Sequence, residues 1–502
     1  MSTKFAGCRV VVMGLGRFGG GIGVSQWLAR QGARVVVSDQ ADEAVLRDSI
    51  ARLAGLGIEI RCGGHDPADL DGADLLVVSP AVDKRTSGFV REARRRGIPI
   101  SSEMNLFFER CRGRIVGVTG TTGKSTTCAM LYEILQAATN KGELNDHQRL
   151  QTGAPSRERK RPVNKPRARA WGSDQRRPIT AGGDADRYEG GGGLRPGMAL
   201  ERGHIWLGGN IGRSLLMELN EIGNDDLVVL ELSSFMLDDL AAVGKSPPVA
   251  VITNAVPKHL DRHGSFAEYL ACKLNICCYQ QPGDVVVVGT DDPVLIGAVT
   301  EVTRQTGASL RTTQNSGLVP RPVGDGAEFR LKVLGPHNRR NAAVAAETAE
   351  VLGVDRETVR EALAAFGGLP HRLQFVRQVT GVKYYNDSKS TSPEAVAAAL
   401  SSFDRAVILI VGGQERHECW DTVSALREPK IAHSICLGEA GPALAGLLGG
   451  TAVATLEEAV SQARRRAGEG DVILFSPGCP SYDRFVNYEV RGETFVALVE
   501  EL

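Results

Sequence analysis

The chain has 502 residues, with 59 basic and 59 acidic side chains and zero formal net charge. At ~150 residues per domain this length gives about three domains. The balanced charge excludes a main task of coating nucleic acid or anionic lipid but leaves anionic small ligands open. Ten cysteines are scattered without a CxxC pair, so a reducing compartment such as the cytosol is expected rather than a disulfide framework. No apolar run reaches the ~18 residues of a spanning helix. The N-terminus runs straight into Val10-Val-Val-Met13, a first strand rather than a secretory signal.

From residue 8 to about 111, strand-like and helix-like segments alternate. Cys8–Met13, Ala33–Ser38 and Leu75–Val78 are short β-branched runs, and Gly23–Gln31 and Ala41–Ala54 have helical composition. Alternation of this kind predicts parallel βαβ units. Gly14-Leu-Gly16-Arg-Phe-Gly19 falls at the first strand-to-helix turn and Asp39 ends the second strand. That is a dinucleotide fingerprint in outline, and such a turn holds any nucleotide diphosphate.

A second unit opens at Arg114. Ile115-Val-Gly-Val-Thr-Gly-Thr-Thr-Gly-Lys-Ser-Thr-Thr127 places an apolar strand, a Gly-rich turn and Lys124-Ser125 ahead of a helix-like segment. Successive N–H groups in such a turn form a concave anion site, and the following helix adds the positive end of its dipole. Lys124 can reach the outer phosphates and Ser125 can ligate Mg²⁺. The strict pattern requires glycine where this chain has Val118, so the loop is a variant one. From about Thr139 to Gly203 apolar periodicity disappears among basic clusters and the run Gly190-Gly-Gly-Gly193. That composition predicts a flexible, solvated insertion.

Beyond it, Leu227–Leu232, Val249–Asn254 and Asp284–Gly289 read as buried strands, and Arg339–Leu352 as a helix. Glu231 ends the first of these strands, where P-loop enzymes place a Mg²⁺-binding carboxylate. His259, Asp261 and His263 crowd the loop after the second. Lys273 lies on an amphipathic stretch and by itself reads as a solvated lysine. Asn338 and Asn341 open a helix, where Asn suits either capping or contact with a base edge. A third unit, from about Gly368, has strands at Ala406–Val411, Ser434–Leu437 and Val472–Ser476. Its loops Tyr385-Asn-Asp-Ser-Lys-Ser-Thr391 and Ser476-Pro-Gly-Cys-Pro-Ser-Tyr-Asp-Arg484 offer hydroxyls and cations at strand ends, which suits a ligand bearing carboxylates.

Taken in order, Thr119–Ser125, Gly208-Gly-Asn-Ile-Gly212, Glu231-Leu-Ser-Ser-Phe235, His259-Leu-Asp-Arg262, Gly368-Leu-Pro-His-Arg372, Asn386-Asp-Ser-Lys389 and Ser476–Ser481 resemble the Mur ligases. The Asn-Asp-Ser-Lys and Leu-Pro-His-Arg pieces are most similar to the D-glutamate-adding members. The resemblance implies a three-domain α/β protein: a Rossmann-like UDP-substrate domain over 1–111, a central P-loop ATPase with a mainly parallel sheet over 112–367 interrupted at about 139–203, and a Rossmann-like amino-acid domain over 368–502. It implies a cytoplasmic ligase that uses ATP and two Mg²⁺ to join D-glutamate to UDP-N-acetylmuramoyl-L-alanine, and a monomer is expected. It places ATP at Gly120, Thr121, Thr122, Gly123, Lys124, Ser125, Thr126, Asn341, Arg372 and Asp387. Metal falls to Ser125, Glu231, His259 and a carbamylated Lys273, and the chemistry to Lys124, His259 and Lys273. The UDP-substrate falls to Gly14, Leu15, Gly16, Asp39, Gln40, Ser79 and Asn210, and D-glutamate to Lys389, Thr391, Arg416, Ser481 and Tyr488. Arg416 and Tyr488 depart from the family's usual lysine and phenylalanine, and Arg416 brings a different grip on a carboxylate. A folylpolyglutamate synthase-like ligase fits the later motifs but not the Gly14–Gly19 unit. An NAD-dependent protein with a degenerate loop and a nucleotide-binding scaffold are the readings outside this class.

Overall fold

Continuous β-branched runs become parallel strands because helices cover both of their faces. The computed structural model describes residues 5–16, 20–141, 203–211, 214–313 and 331–502. The first sheet holds β1 (Arg9–Met13), β2 (Arg34–Ser38), β3 (Glu59–Arg61), β4 (Leu75–Val78) and β5 (Ile100–Ser101), all parallel in the order β3-β2-β1-β4-β5. Side chains alternate between its faces. Val10, Val12, Val35 and Val37 join Trp27 and Leu28 of the helix Gly20–Arg30, whereas Val11, Met13 and Val36 join Phe89 and Val90 of the helix Gly88–Arg95.

The second sheet holds β6 (Arg114–Thr119), β7 (Ile205–Gly209), β8 (Leu227–Glu231), β9 (Val249–Ile252), β10 (Val285–Val288) and β11 (Ser309–Thr312). Its order is β11-β10-β9-β6-β8-β7, again all parallel. The strand β6 lies between β8 and β9, so the strand order reverses beside it and opens a crevice at its carboxyl end. The helix after the phosphate loop continues to Lys141, slightly past the expected break at Thr139. The rest of the expected insertion, up to residue 202, lies outside the described residues.

The third sheet holds β12 (Gln374–Val379), β13 (Val382–Asn386), β14 (Val407–Gly412), β15 (Ile431–Leu437), β16 (Thr451–Val453) and β17 (Val472–Phe475), in the order β12-β13-β17-β14-β15-β16. It is parallel except for β12, which pairs antiparallel with β13. The hairpin turns through Thr380 and Gly381, at φ +48° and +81°, a backbone twist suited to tight two-residue turns.

The chain divides into two compact units, Met1–Val319 with Asn341–Val359 and Pro320–Arg340 with Arg360–Leu502. The first unit contains the first two sheets and the second contains the third. Among the described residues no helix is long and apolar enough to cross a membrane.

Candidate functional site

The phosphate loop leaves β6 at Thr119 and enters the helix Lys124–Lys141. Gly120 and Gly123 have φ of +151° and +84°, values that side-chain-bearing residues rarely adopt. A Cβ at Gly120 would collide with Thr253 Oγ1, and one at Gly123 with Asn341 Oδ1. The loop is thus pressed between the end of β9 and Asn341. Asn254 Oδ1 accepts from the Thr121 and Thr122 amides, both at 3.1 Å, and Thr253 Oγ1 donates to the Thr122 carbonyl at 2.6 Å. Lys124 arches back over the turn, its Nζ 3.0 Å from the Gly120 carbonyl and 3.3 Å from that of Thr121. Ser125 and Thr126 are buried in the first helical turn.

Two buried ionisable groups flank this loop. Glu231, 2% exposed, ends β8 opposite Val118 of β6. Its Oε1 accepts from Asn210 Nδ2 at 2.9 Å, while its Oε2 is buried and, among the described residues, has no hydrogen-bond partner. An orphaned buried carboxylate oxygen is costly and has the chemistry to take a hard cation. Lys273, only 1% exposed, lies on the helix Phe266–Leu274, whose first turn is capped by Ser265. Its Nζ donates to the Gly120 carbonyl at 2.8 Å and lies 4.7 Å from the centroid of the Tyr269 ring. Burial and then the neighbouring Lys124 push its amine down to about 7. The solvated-lysine reading of the residue alone is therefore wrong: its helix turns this side chain into the loop.

His259 is exposed and left-handed, with φ +54°. Its ring lies 5.4 Å from that of Phe235, and partial loss of water on that side, then the neighbouring Lys258, lower its pKa although the residue as a whole is exposed. His263, by contrast, is buried. Its Nε2 meets Ser234 Oγ at 3.0 Å and its ring stacks on Phe235 at 5.2 Å. Among the described residues no three His, Cys, Asp or Glu side chains converge as a metal cage. A cation here would need oxygens beyond those of the acidic side chains, such as the Ser125 hydroxyl and phosphate oxygens.

The turn at the end of β1 is built differently from the dinucleotide pattern. Asp39 Oδ2 accepts from the Leu15 amide at 2.8 Å and the Gly16 amide at 3.2 Å, and Oδ1 accepts from Ala41 N at 2.9 Å. The acid thus clamps the turn itself. Gly14, at φ +89°, packs a would-be Cβ 3.0 Å from Ser79 Cβ. Gln40 is exposed beside it, and residues 17–19 of the motif lie outside the described residues. Asn210 follows β7 and reaches Glu231, so a residue assigned to one substrate is bonded to one assigned to metal.

In the second unit, Asp387 is buried at the end of β13. Its Oδ2 accepts from the Ser390 and Ser476 hydroxyls at 2.6 and 2.8 Å, and its Oδ1 from the Leu373 amide at 3.1 Å. Burial outweighs these donors and raises its pKa to about 6. His371 and Leu373 are both left-handed, at φ +61° and +44°, so a strained turn presents the exposed Arg372 between them. Lys389 Nζ sits 5.1 Å from the Tyr488 ring centroid and Ser481 is buried, whereas Thr391 and Arg416 are exposed.

Sequence reasoning gave no role to two arginines. Arg491, 1% exposed, donates from Nε to Ser388 Oγ at 3.1 Å, from Nη2 to the Ser388 carbonyl at 2.8 Å and from Nη1 to the Cys479 carbonyl at 3.0 Å. It ties the loop after β13 to the loop after β17, and burial lowers its pKa to about 10. Arg262 donates to three carbonyls of residues 80–82. Arg262 stands in the quoted His259–Arg262 motif, but the carbonyls it meets are about 180 residues away, and Ser388 lies 103 residues from Arg491, so no local pattern gives either its partners.

Three mainly parallel sheets, with a strand–glycine-loop–helix unit at the centre of the second, define a multidomain P-loop α/β protein. The chain belongs to the Mur ligase family. Residues 8–102 match the Mur ligase MurD-like N-terminal domain, 208–349 the Mur ligase middle domain and 371–479 the Mur ligase glutamate ligase domain. The UDP-N-acetylmuramoylalanine–D-glutamate ligase of Roseiflexus sp. (strain RS-1) is 33% identical, with 99% of each chain covered. That of Geobacter metallireducens is 32% identical, covering 99% of this chain and 98% of its own. Among solved structures, the UDP-N-acetylmuramate-alanine ligase MurC of Thermotoga maritima shares the fold at TM-score 0.53 and 21% identity, over 98% of this chain and 99% of its own.

Proposed function

We propose that this chain is an ATP-dependent ligase that joins D-glutamate to UDP-N-acetylmuramoyl-L-alanine in peptidoglycan precursor synthesis, working in the cytoplasm as a monomer. Its domains would be 1–111 for the UDP-substrate, 112–367 for ATP and 368–502 for the amino acid. The full-length likeness to ligases named for this reaction supports the substrates. The observation that carries the chemistry is the placement of Glu231, with its orphaned Oε2, and buried Lys273 against the phosphate loop.

A carboxylate is a poor electrophile, so direct condensation with an amine fails in water. In the proposed reaction an alanyl carboxylate oxygen attacks the γ-phosphorus of ATP, the bond to the bridging oxygen breaks, and ADP leaves. The neutral D-glutamate amine then attacks the acyl phosphate carbon, and inorganic phosphate departs with the former carboxylate oxygen while the amine releases a proton. Anions crowd the first step, so charge neutralisation dominates its barrier.

Lys124 and the loop Gly120–Thr126 would grip the phosphates. Asn341, Arg372 and Asp387 would take the remainder of the nucleotide. Gly14, Leu15, Gly16, Asp39, Gln40, Ser79 and Asn210 would hold the UDP-substrate. Lys389, Thr391, Arg416, Ser481 and Tyr488 would orient D-glutamate, Arg416 through a two-point grip on a carboxylate. Ser125, Glu231, His259 and a carbamylated Lys273 would hold two Mg²⁺, whose charge would offset that of the reacting phosphate and carboxylate. Near neutral pH a sizeable part of Lys273 is the free amine, which adds CO₂ to give a carbamate and a released proton.

Labelling the alanyl carboxylate with heavy oxygen tests the reading. One labelled atom should appear in inorganic phosphate for each bond formed, and label-free phosphate would refute carboxylate activation.

A further inference from the structure

The junction between the first two sheets is held by charged side chains that the proposed chemistry does not use. Arg262 follows His259 by one helical turn. Its Nη1 donates to the Ala81 carbonyl at 3.0 Å, and its Nη2 to those of Pro80 and Val82 at 2.7 and 2.6 Å. Its guanidinium carbon lies over the Phe235 ring at 3.9 Å. Phe235 stacks at 5.2 Å on His263, with 7° between the planes. His263 meets Tyr269 edge-on at 5.2 Å, and the Tyr269 hydroxyl lies 2.9 Å from Thr121 Oγ1 in the phosphate loop. An unbroken column therefore runs from the loop after β4 to the loop after β6.

Geometry makes Arg262 the specific member of this column. Only a planar, multi-donor cation can satisfy three carbonyls in one loop while laying its face on an aromatic ring. The loop it grips follows Ser79 directly, and Phe235 lies in the segment that begins at Glu231. The junction does not depend on Arg262 alone, because Lys84 pairs with Asp239 and Arg85 bridges to Glu268 at 3.1 Å.

We propose that Arg262 is a positioning residue for the UDP-linked substrate: by fixing residues 80–82 to Phe235 it sets where that substrate's carboxylate stands relative to the phosphate loop. The inference rests on the ligase reading above. It adds that binding of the UDP-linked partner depends on a residue outside the groups proposed above for ATP and metal. Loss of the clamp frees the loop, and misplacement of reacting groups by an ångström costs ~100-fold in rate.

The test uses the full chain and its Arg262→Ala and Arg262→Lys variants. Isothermal titration measures affinity for UDP-N-acetylmuramoyl-L-alanine and, separately, for a non-hydrolysable ATP analogue, and steady-state phosphate release follows. Arg262→Ala should weaken the UDP-linked substrate about tenfold and lower kcat/KM for it ~100-fold. Affinity for the ATP analogue should stay within about twofold. Arg262→Lys should fall between, since an ammonium keeps the charge but not the fork, and it carries the test should the alanine variant not fold. Unchanged affinity for the UDP-linked substrate, or equal losses for both ligands, would overturn the proposal. A wild-type chain that never uses the UDP-linked substrate would instead sink the ligase reading.

Discussion

At the scale of single residues, the proposed chemistry turns on Lys273. A lysine ammonium that is 1% exposed and next to a second lysine is held near the point of losing its proton. Its folded pKa, about 7, lies below the ordinary 10.5, so the neutral fraction grows as pH rises through 7 and shrinks below it. Carbamate formation should follow the same direction. Activity in CO₂-depleted buffer should therefore fall as pH drops below about 7, and bicarbonate should restore part of it. Replacing the side chain, Lys273→Ala, should cost ~100-fold or more in kcat, the scale of a lost electrostatic stabiliser. High formate or acetate should recover part of the rate by supplying the missing anion. Full activity in the variant would reject the assignment, and activity indifferent to both CO₂ and carboxylates would reject the carbamate.

At the scale of elements, the phosphate loop depends on backbone shape and the third sheet on a buried cation. Gly120→Ala would put a methyl group into Thr253 Oγ1 at φ +151°. That combination of strain and collision should destabilise the first unit by ~1–3 kcal/mol and lower its melting temperature by several degrees, with ATP affinity lost in parallel. An unchanged melting point would mean that the loop relaxes freely. Arg491→Met would strand three acceptors in the second unit. The expected loss is ~2 kcal/mol or more, read as a lower urea midpoint for the transition of that unit, and a variant as stable as the wild type would contradict the role given to Arg491. These elements also show how far the sequence could be read. The strand, loop and helix at Ile115–Leu135 were legible because phosphate binding dictates their order. Glu231 was legible because a carboxylate ending an apolar strand stands out. The strand β12 was not, since Gln374, Arg377 and Gln378 give an edge strand too polar to separate from a loop. Arg491 was not, since its acceptor at Ser388 is 103 residues away. Lys273 was misread from its own segment, because helical amphipathicity does not say which neighbour a helix packs against.

At the scale of the whole molecule, the three sheets place their loops by one rule: ligands of open α/β sheets sit beyond strand carboxyl ends, where the strand order reverses. The turn after β1, the loop after β6 and the loops after β13 and β17 lie at such ends and carry many of the residues proposed for the UDP-substrate, ATP and D-glutamate. Division among three sheets suits a reaction that must bring an anionic sugar nucleotide, ATP and an amino acid to one carbon. The most direct measurement of that claim is phosphate release by the purified chain with ATP and Mg²⁺, omitting one substrate at a time. Sustained release is expected only when UDP-N-acetylmuramoyl-L-alanine and D-glutamate are both present, with L-glutamate unable to replace the D-form. No release with the complete set, or equal release without D-glutamate, would contradict it.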